Sequence, residues 1–234
     1  MISNRLLAFA LAAALPATSL AQDTTAGLAS RLSYSVSVIQ SRPQGELARR
    51  VGLGYGASGS LSMRLDERGI WSLRGDFGAA QYNRVSRDYT LGNVSTDGLR
   101  LTLNTSSYVV PLSLGPQITW PSGMVRPYVN AGVATQGFFT ETSVEGDDPS
   151  SGVASTTNRS DFVGAVSFGG GAYFVLPIRR KEVQIDLGFQ KLNGSRATYL
   201  VPVANADESG ESRLAAVSSD AHLLVLKIGA RLAW

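Results

Sequence analysis

The feature that most constrains the fold of this sequence is a period-two alternation of apolar and polar residues. In the last segment, AHLLVLKIGARLAW, the apolar positions are Leu224, Leu226, Ile228, Ala230, Leu232 and Trp234. The segments VQIDLGFQ and LRLTLN alternate in the same way. Because successive side chains of a strand point to opposite faces of a sheet, these segments predict β-strands with one apolar and one polar face.

Eight strands are predicted by this pattern, over residues 31–40, 50–65, 70–83, 98–120, 125–140, 161–177, 182–199 and 219–234. Tight turns at 66–69, 121–124 and 178–181 alternate with long polar loops at 41–49, 84–97, 141–160 and 200–218. The fourth strand changes phase near Pro111, which predicts a bulge or bend. The alternation of short and long connections predicts an all-β, eight-stranded antiparallel up-and-down transmembrane β-barrel, with short periplasmic turns and long extracellular loops.

The N-terminal segment has the pattern of a secretory signal peptide. One early charge, Arg5, precedes an apolar run from Leu6 to Leu15, and small residues lead to Ala21. The run is too short for a membrane-spanning helix, which needs about 20 apolar residues. We therefore expect a signal peptide over residues 1–21, cleavage near Ala21, and a single barrel domain over residues 22–234.

Composition argues against several other classes of protein. The sequence has no Cys, so it is neither a disulfide scaffold nor modified by lipid on a cysteine. Lys and Arg total 21 against 18 Asp and Glu, and they are scattered without a nucleic-acid-binding motif. The glycine pattern GLGYGA at 52–57 lies within an alternating strand, so it is not a nucleotide-binding loop. We expect no cofactor and no nucleic-acid partner.

Alternation alone leaves open which face of the barrel is outside, since a soluble lipocalin-like barrel keeps its apolar face inward. Two features favour a polar lumen and an apolar, lipid-facing exterior. All three Trp lie at the short-turn end, as expected of an aromatic girdle at a membrane interface. The polar face combines small residues with charges of both signs, and its predicted lumen network is Arg64, Arg74, Asp76, Arg100, Arg126, Glu182, Asp186, Lys227 and Arg231. This network predicts a plugged lumen.

One contact inside the lumen is predicted by parity and strand order. The seventh and eighth strands are antiparallel neighbours, and Asp186 lies on their polar face together with Lys227 and Arg231. Because an unpaired charge shielded from water is costly, we expect Asp186 to pair with one of these two cations.

The alternating C-terminal strand with a terminal aromatic residue resembles the assembly signal of bacterial outer-membrane β-barrel proteins. The layout of the whole predicted barrel is similar to small OmpA- and OmpX-like barrels. The resemblance implies residence in the bacterial outer membrane and recognition of the last strand by the barrel-assembly machinery. Most members end in Phe, whereas this sequence ends in Trp234. The aromatic girdle and assembly signal would comprise Trp71, Trp120, Leu232 and Trp234.

Three functions remain open at this level. The first is a non-enzymatic structural or interaction protein that displays its loops, whose ligand the sequence does not identify. The second is a narrow channel for small or apolar solutes. The third is an outer-leaflet lipid-modifying enzyme, for which the sole histidine, His222, is the candidate base. No His-x-Ser pattern accompanies His222, so we predict no catalytic residues and no enzymatic activity.

The long loops contain two groups of charged residues. Arginines in or beside the loops suit the phosphates of outer-membrane lipid and lipopolysaccharide, or are ordinary surface charges: Arg42, Arg49, Arg50, Arg84 and Arg87. The acidic segment 141–161 is rich in oxygen ligands but lacks the regular spacing of a calcium loop. The sequence therefore favours a solvated acidic loop with no assigned metal site and leaves Ca²⁺ binding there open.

Overall fold

Eight antiparallel strands close into a barrel in the computed structural model, which describes residues 31–91, 99–146, 154–178, 181–202 and 214–233. Each strand pairs with the next, and β8 pairs with β1. The predicted fold class is confirmed. The strands are β1 (Leu32–Gln44), β2 (Gly54–Arg64), β3 (Trp71–Leu91), β4 (Leu99–Thr119), β5 (Val125–Gly146), β6 (Ala154–Ile178), β7 (Lys181–Pro202) and β8 (Leu214–Ala233).

The strands are staggered as they wind around the barrel. The pairing can be followed from His222 on β8 to its partner on β7, from there to β6, and on through the remaining strands. This row of paired residues returns to β8 at Leu232, ten residues from its start. Strand number and this stagger together fix the tilt and the width of a barrel. An eight-stranded barrel is just wide enough for side chains to fill its interior.

The tight turns are built by residues that suit sharp reversals. The backbone N–H groups of Ile70 and Trp71 donate to the Asp66 carboxylate at 3.2 and 2.8 Å. Gly69 and Gly123 have φ values of +72° and +91°, a region that a residue with a side chain rarely adopts. These local contacts account for two of the three short turns that the sequence predicted.

The strands extend further at the long-loop end than the sequence predicted. Parts of the predicted loops 84–97, 141–160 and 200–218 are strand, because β3, β5 and β7 continue to Leu91, Gly146 and Pro202. The first loop is different, since β1 ends at Gln44 and a short 3₁₀ helix, Leu47–Arg49, precedes β2. No helix among the described residues is long and apolar enough to cross a membrane.

The irregularity predicted near Pro111 lies elsewhere. The pairing of β4 with β5 runs without a shift past Pro111, which is opposite Gln136. The pairing of β3 with β4 shifts between Gln81 and Asn83 of β3, opposite Tyr108 of β4. Two further shifts lie in the pairings of β5 with β6 and of β7 with β8. An extra residue in one strand of a pair is a β-bulge. The extra residue is on β3, whereas the sequence pattern placed the irregularity on its neighbour β4.

The exterior of the barrel is apolar along most of its strands. Large hydrophobic side chains are widely exposed there, with exposed fractions of 64% for Val38, 57% for Ile228 and 68% for Val133. Exposed apolar surface on this scale is unusual for a monomer in water and matches a surface that faces lipid. The predicted assignment of the apolar face to the outside is therefore confirmed.

The interior has two layers rather than the single polar layer that the sequence predicted. Towards the short turns the buried side chains are polar, and they include Arg74, Gln184 and Asp186. Towards the long loops they are mostly hydrophobic and form what we call the apolar cap. It consists of Ile39, Leu47, Val51, Ala80, Tyr82, Val109, Phe138, Val163, Leu192, Ala197, Tyr199, Ala221, Leu223 and Val225. Leu47, in the 3₁₀ helix of the first loop, is fully buried in this layer.

The lipid-facing assignment can be tested with a charged substitution. Leu187→Arg, in the middle of the outward face of β7, is expected to lower the free energy of unfolding by about 2–4 kcal/mol, because it places a charge deep in the bilayer. Leu65→Arg is the matched control at the short-turn end, where the expected cost is about 0–1 kcal/mol. Unfolding by urea in lipid vesicles measures both. Equal costs at the two positions would contradict the assignment.

Candidate functional site

Four charged side chains meet in the polar layer of the lumen, and we call them the charge cluster: Arg74, Asp76, Asp186 and Lys227. The Arg74 guanidinium binds the Asp76 carboxylate with Nη2 2.8 Å from Oδ1. Lys227 Nζ approaches the same Oδ1 at 3.3 Å. Arg74 Nη2 also lies 3.5 Å from Asp186 Oδ2. Two acids and two bases therefore share contacts in a space from which bulk water is largely excluded.

Asp186 is fully buried, and its partners differ from those predicted. The Tyr128 hydroxyl donates a hydrogen bond to Asp186 Oδ1 at 2.7 Å, and Arg74 supplies the nearby positive charge. The predicted pairing of Asp186 with Lys227 or Arg231 is wrong. Arg74 is on β3, which is not a neighbour of β7, so the ion pair crosses the lumen instead of joining adjacent strands.

Two stacked tyrosine rings accompany the cluster. The ring centroids of Tyr128 and Tyr173 are 4.5 Å apart, with their planes 20° from parallel. The Arg231 guanidinium lies 4.2 Å from the Tyr173 centroid, and Arg74 lies 5.3 Å from the Tyr128 centroid. Cations over aromatic faces are attracted more strongly when they are shielded from water. The four side chains therefore form a stack across the lumen.

Two lumen glycines make room for this stack. A Cβ atom at Gly188 or at Gly171 would collide with the Tyr128 hydroxyl. This agrees with the expectation that small residues suit the narrow interior, and it identifies which ring needs the space. Any larger residue at Gly188 would have to displace the hydroxyl that donates to Asp186.

Neutral amides connect the stack to the surrounding strands. Arg231 Nη1 donates to Gln184 Oε1 at 2.8 Å, and its Nη2 donates to Ser33 Oγ at 2.7 Å. Arg74 Nη1 donates to Gln117 Oε1 at 2.9 Å. Arg231 is thus held beside the charge cluster by hydrogen bonds and the Tyr173 ring. The polar layer contains a connected network of charged, amide and phenol groups.

The remaining members of the predicted lumen network do not all join this cluster. Arg64 is exposed at the short-turn end of β2, and Arg126 donates from Nε to the Gly123 carbonyl at 3.3 Å, also at that end. The side chains of Arg100 and Glu182 lie outside the described residues. The tyrosines and glutamines of the network were missed, although Tyr128 shares the inward parity of Arg126 and Tyr173 shares that of the lumen glycines.

The structure describes three of the four residues predicted for the aromatic girdle and assembly signal. Trp71 and Trp120 are exposed by 48% and 66%, and both lie on the outer face at the short-turn end. Leu232 is half-buried at the same end of β8, and Trp234 lies outside the described residues. The positions of the two described tryptophans suit a membrane interface, while their role there stays a prediction.

The apolar cap lies between the charge cluster and the long loops. A cavity of about 20 Å³ lies where the two layers meet, lined by Ile39, Asp76, Val225 and Lys227 among others. Such a volume accommodates about one water molecule. The side chains of the described strands therefore leave little free space at this level of the barrel.

The other candidate residues are dispersed. His222 has Gln44 and Asn193 as its strand neighbours, and its Nδ1 makes no hydrogen bond. In the acidic segment, Asp161 accepts from the backbone N–H of Thr198 at 2.6 Å, and Glu141 lies on β5. No group of three or more metal-ligating side chains occurs among the described residues.

A closed antiparallel sheet with an apolar exterior and an interior filled with side chains defines a transmembrane β-barrel of the outer-membrane type. The model of the outer membrane protein beta-barrel domain family matches residues 7–210. The chain belongs to this family, and its location is the bacterial outer membrane. The match begins within the predicted signal peptide, so it does not define the start of the domain.

Solved structures similar to this chain are also outer-membrane barrels. The attachment invasion locus protein Ail of Yersinia pestis is 15% identical, with a TM-score of 0.45, covering 86% of this chain and 97% of that chain. The Neisserial surface protein NspA is 12% identical, with a TM-score of 0.42 and coverage of 87% and 97%. A major outer membrane protein of Thermus thermophilus is 17% identical, with a TM-score of 0.43 and coverage of 86% and 99%. No curated protein matches the sequence.

The connectivity of the charge cluster can be tested with a double-mutant cycle. Asp76→Asn is expected to cost about 3–5 kcal/mol of unfolding free energy, because it leaves two buried cations without their shared acid. Its effect should not add to that of Lys227→Met, with a coupling of about 1 kcal/mol or more. Arg126→Met is the control, since it lies at the rim and should be additive with Asp76→Asn. Urea unfolding in lipid vesicles measures the cycle, and additivity of Asp76→Asn with Lys227→Met would contradict the contact.

Proposed function

We propose that this protein is a non-enzymatic structural or interaction protein of the outer membrane, with a plugged lumen and surface-exposed loops. The observation that carries the proposal is the filling of the lumen by two successive layers, the charge cluster with its tyrosine stack and the apolar cap. A barrel filled in this way offers its loops and outer rim, rather than its interior, to other molecules.

The physical basis of the plug is the difference between the two layers. Arg74 and Asp186 are almost fully buried, so their charges are held by one another and by Tyr128. Above them the interior is mostly hydrophobic, and a passing ion finds only a few polar groups to replace its hydration, among them Gln136 and the hydroxyls of Tyr82 and Tyr199. An ion that crosses this barrel would have to break the cluster and then enter a hydrophobic layer.

The surroundings of His222 support the non-enzymatic part of the proposal. An activated nucleophile needs a base within hydrogen-bond reach, oriented by a third group. The strand neighbours of His222 are Gln44 and Asn193, two amides that neither act as nucleophiles nor carry a charge.

The alternative of a narrow channel for apolar solutes draws on the apolar cap. Its lining would accept a hydrophobic molecule entering from the long-loop end, past Leu47. Such a molecule would still meet the charge cluster below, so the alternative requires the cluster to move. Uptake of an apolar dye into vesicles that contain the barrel would favour this function.

The plug can be tested by conductance. The purified protein in planar bilayers is expected to show no stable, porin-sized steps. The double substitution Tyr128→Ala/Tyr173→Ala removes the stacked rings and should produce measurable ion conductance. Trp71→Ala/Trp120→Ala is the matched control, because it removes two rings from the outer face and should leave the lumen closed. Reproducible large steps from the unaltered protein would contradict the proposal.

The partners proposed for the barrel are outer-membrane lipid, lipopolysaccharide and the assembly machinery. Arg42, Arg49 and Arg50 are exposed at the long-loop end and suit lipid phosphates, whereas the side chains of Arg84 and Arg87 lie outside the described residues. Removal of residues 1–21 as a signal peptide, with cleavage near Ala21, belongs to the same proposal.

Recognition of β8 by the assembly machinery can be tested by truncation. Deleting Leu232 through Trp234 is expected to reduce the amount of folded barrel in the outer membrane, and unassembled protein should accumulate in the periplasm. The mobility of the unheated protein on gels, which distinguishes folded from unfolded barrels, measures the effect. Normal membrane levels of the truncated protein would refute this role of the strand end.

A further inference from the structure

The outer face of β1, β7 and β8 changes from apolar to polar towards the long loops. Paired residues of these strands lie in rows, every second row points outward, and the change takes place within two outward rows. The row of Val38, Ile228 and Leu187 is apolar and exposed. Two rows above it, towards the long loops, Arg42 of β1 and Lys191 of β7 both pair with Leu224 of β8. We call these three residues the boundary patch: Arg42, Leu224 and Lys191.

The change to polar residues continues above the patch but is local to these strands. The next row towards the loops contains Gln44, His222 and Asn193. On the adjacent strand β6, by contrast, the outward residues Phe168 and Phe162 remain apolar, with exposed fractions of 43% and 64%. The basic residues of β1 and β7 thus do not continue onto the described outer face of β6.

The two cations of the boundary patch have no acidic partner among the described residues. The outward neighbours in the rows directly below and above are Gln40, Leu226, Phe189, Gln44, His222 and Asn193, none of which is acidic. Lys191 lies over the Phe168 ring, with Nζ 5.8 Å from its centroid, and Arg42 is exposed.

Unpaired cations at the edge of a lipid-facing surface need a compensating charge. A charged side chain within the bilayer is costly unless it reaches the interface or meets an opposite charge. Arg42 and Lys191 lie two strands apart, about 10 Å between Cα atoms, and both side chains are long and flexible. An anionic group placed over Leu224 can therefore contact both cations, and its acyl chains would extend down over Leu226 and Ile228.

We propose that the boundary patch binds the phosphate of an anionic lipid in the outer leaflet, with Arg42 and Lys191 contacting it from either side of Leu224. This deepens the proposed lipid partnership by naming the site, and it rests on that proposal only in placing the long-loop end in the outer leaflet. Guanidinium and ammonium groups both bind phosphate, and the guanidinium does so through paired hydrogen bonds. The apolar surface below the patch accommodates the lipid chains.

The site is tested by lipid binding to the full barrel in neutral detergent micelles, measured by native mass spectrometry. Phosphatidic acid, phosphatidylcholine and inorganic phosphate are the three probes. We expect phosphatidic acid to bind in preference to the other two. Arg42→Gln/Lys191→Gln should weaken that binding roughly 30-fold, at about tenfold or less for each cation near a charged lipid. Arg31→Gln/Arg68→Gln removes two exposed cations at the opposite end and should leave the binding unchanged.

Stability supplies a second measurement that does not depend on detecting the complex. A ligand that binds only the folded state raises its resistance to urea. Phosphatidic acid in phosphatidylcholine vesicles should therefore stabilise the unaltered barrel and the Arg31/Arg68 variant, but not the Arg42/Lys191 variant. Equal binding by both double variants, or inorganic phosphate binding as tightly as the lipid, would overturn the proposal. A conducting lumen would refute the plug without altering this result, because the patch is on the outer face.

Discussion

Closure of the sheet is the constraint on which the rest of this structure depends. In lipid, each backbone N–H and C=O group must find a partner within the protein, and an eight-stranded sheet achieves this only when β8 pairs with β1. The stagger of ten residues around the barrel then determines how strands face one another across the lumen. A residue that meets another inside the barrel does so because of this stagger and not because of proximity in the sequence.

The narrow lumen that closure produces has to be filled, and the chain fills its two ends differently. At the short-turn end, where the sheet contributes serines and glycines, Arg74 of β3 reaches across the lumen to Tyr173 of β6, and Tyr128 of β5 reaches past β6 to Asp186 of β7. A buried charge without a partner would cost several kcal/mol, so the acids and bases of this layer come together. At the long-loop end hydrophobic side chains occupy the interior, and the first loop folds inwards to bury Leu47.

Much of the fold follows from the sequence because strand alternation is a local property. It gives the number of strands, their order and the inward direction of Arg74, Asp76, Asp186 and Lys227. The partner of Asp186 does not follow, because parity says which face a residue occupies and nothing about which distant strand lies opposite. Adjacent strands suggested Lys227 or Arg231, whereas the stagger of the barrel brings Arg74 from β3.

The apolar cap could not be predicted from the sequence for a different reason. Where both faces of a strand are apolar, as at Leu223 and Val225 inside and Leu224 and Leu226 outside, alternation of polarity disappears. Nothing in the pattern then distinguishes a filled lumen from a lipid-facing surface. The strand extensions at the long-loop end present the opposite case. Residues of mixed polarity there suggest loops, although β3, β5 and β7 continue through them.

Charged side chains are neutralised within the protein on the inner surface of the sheet but not at the boundary patch on the outer surface, and this difference bears on function. Inside, Asp76 is shared by Arg74 and Lys227, so the protein itself neutralises these charges and has no need of another molecule. Outside, Arg42 and Lys191 flank Leu224 at the limit of the apolar band and have no acidic neighbour among the described side chains of β1, β7 and β8. A charge compensated within the chain contributes to rigidity and closure, whereas a charge left uncompensated beside lipid is available to the surroundings. The interior of this barrel is therefore suited to holding its shape, and its outer rim to making contacts.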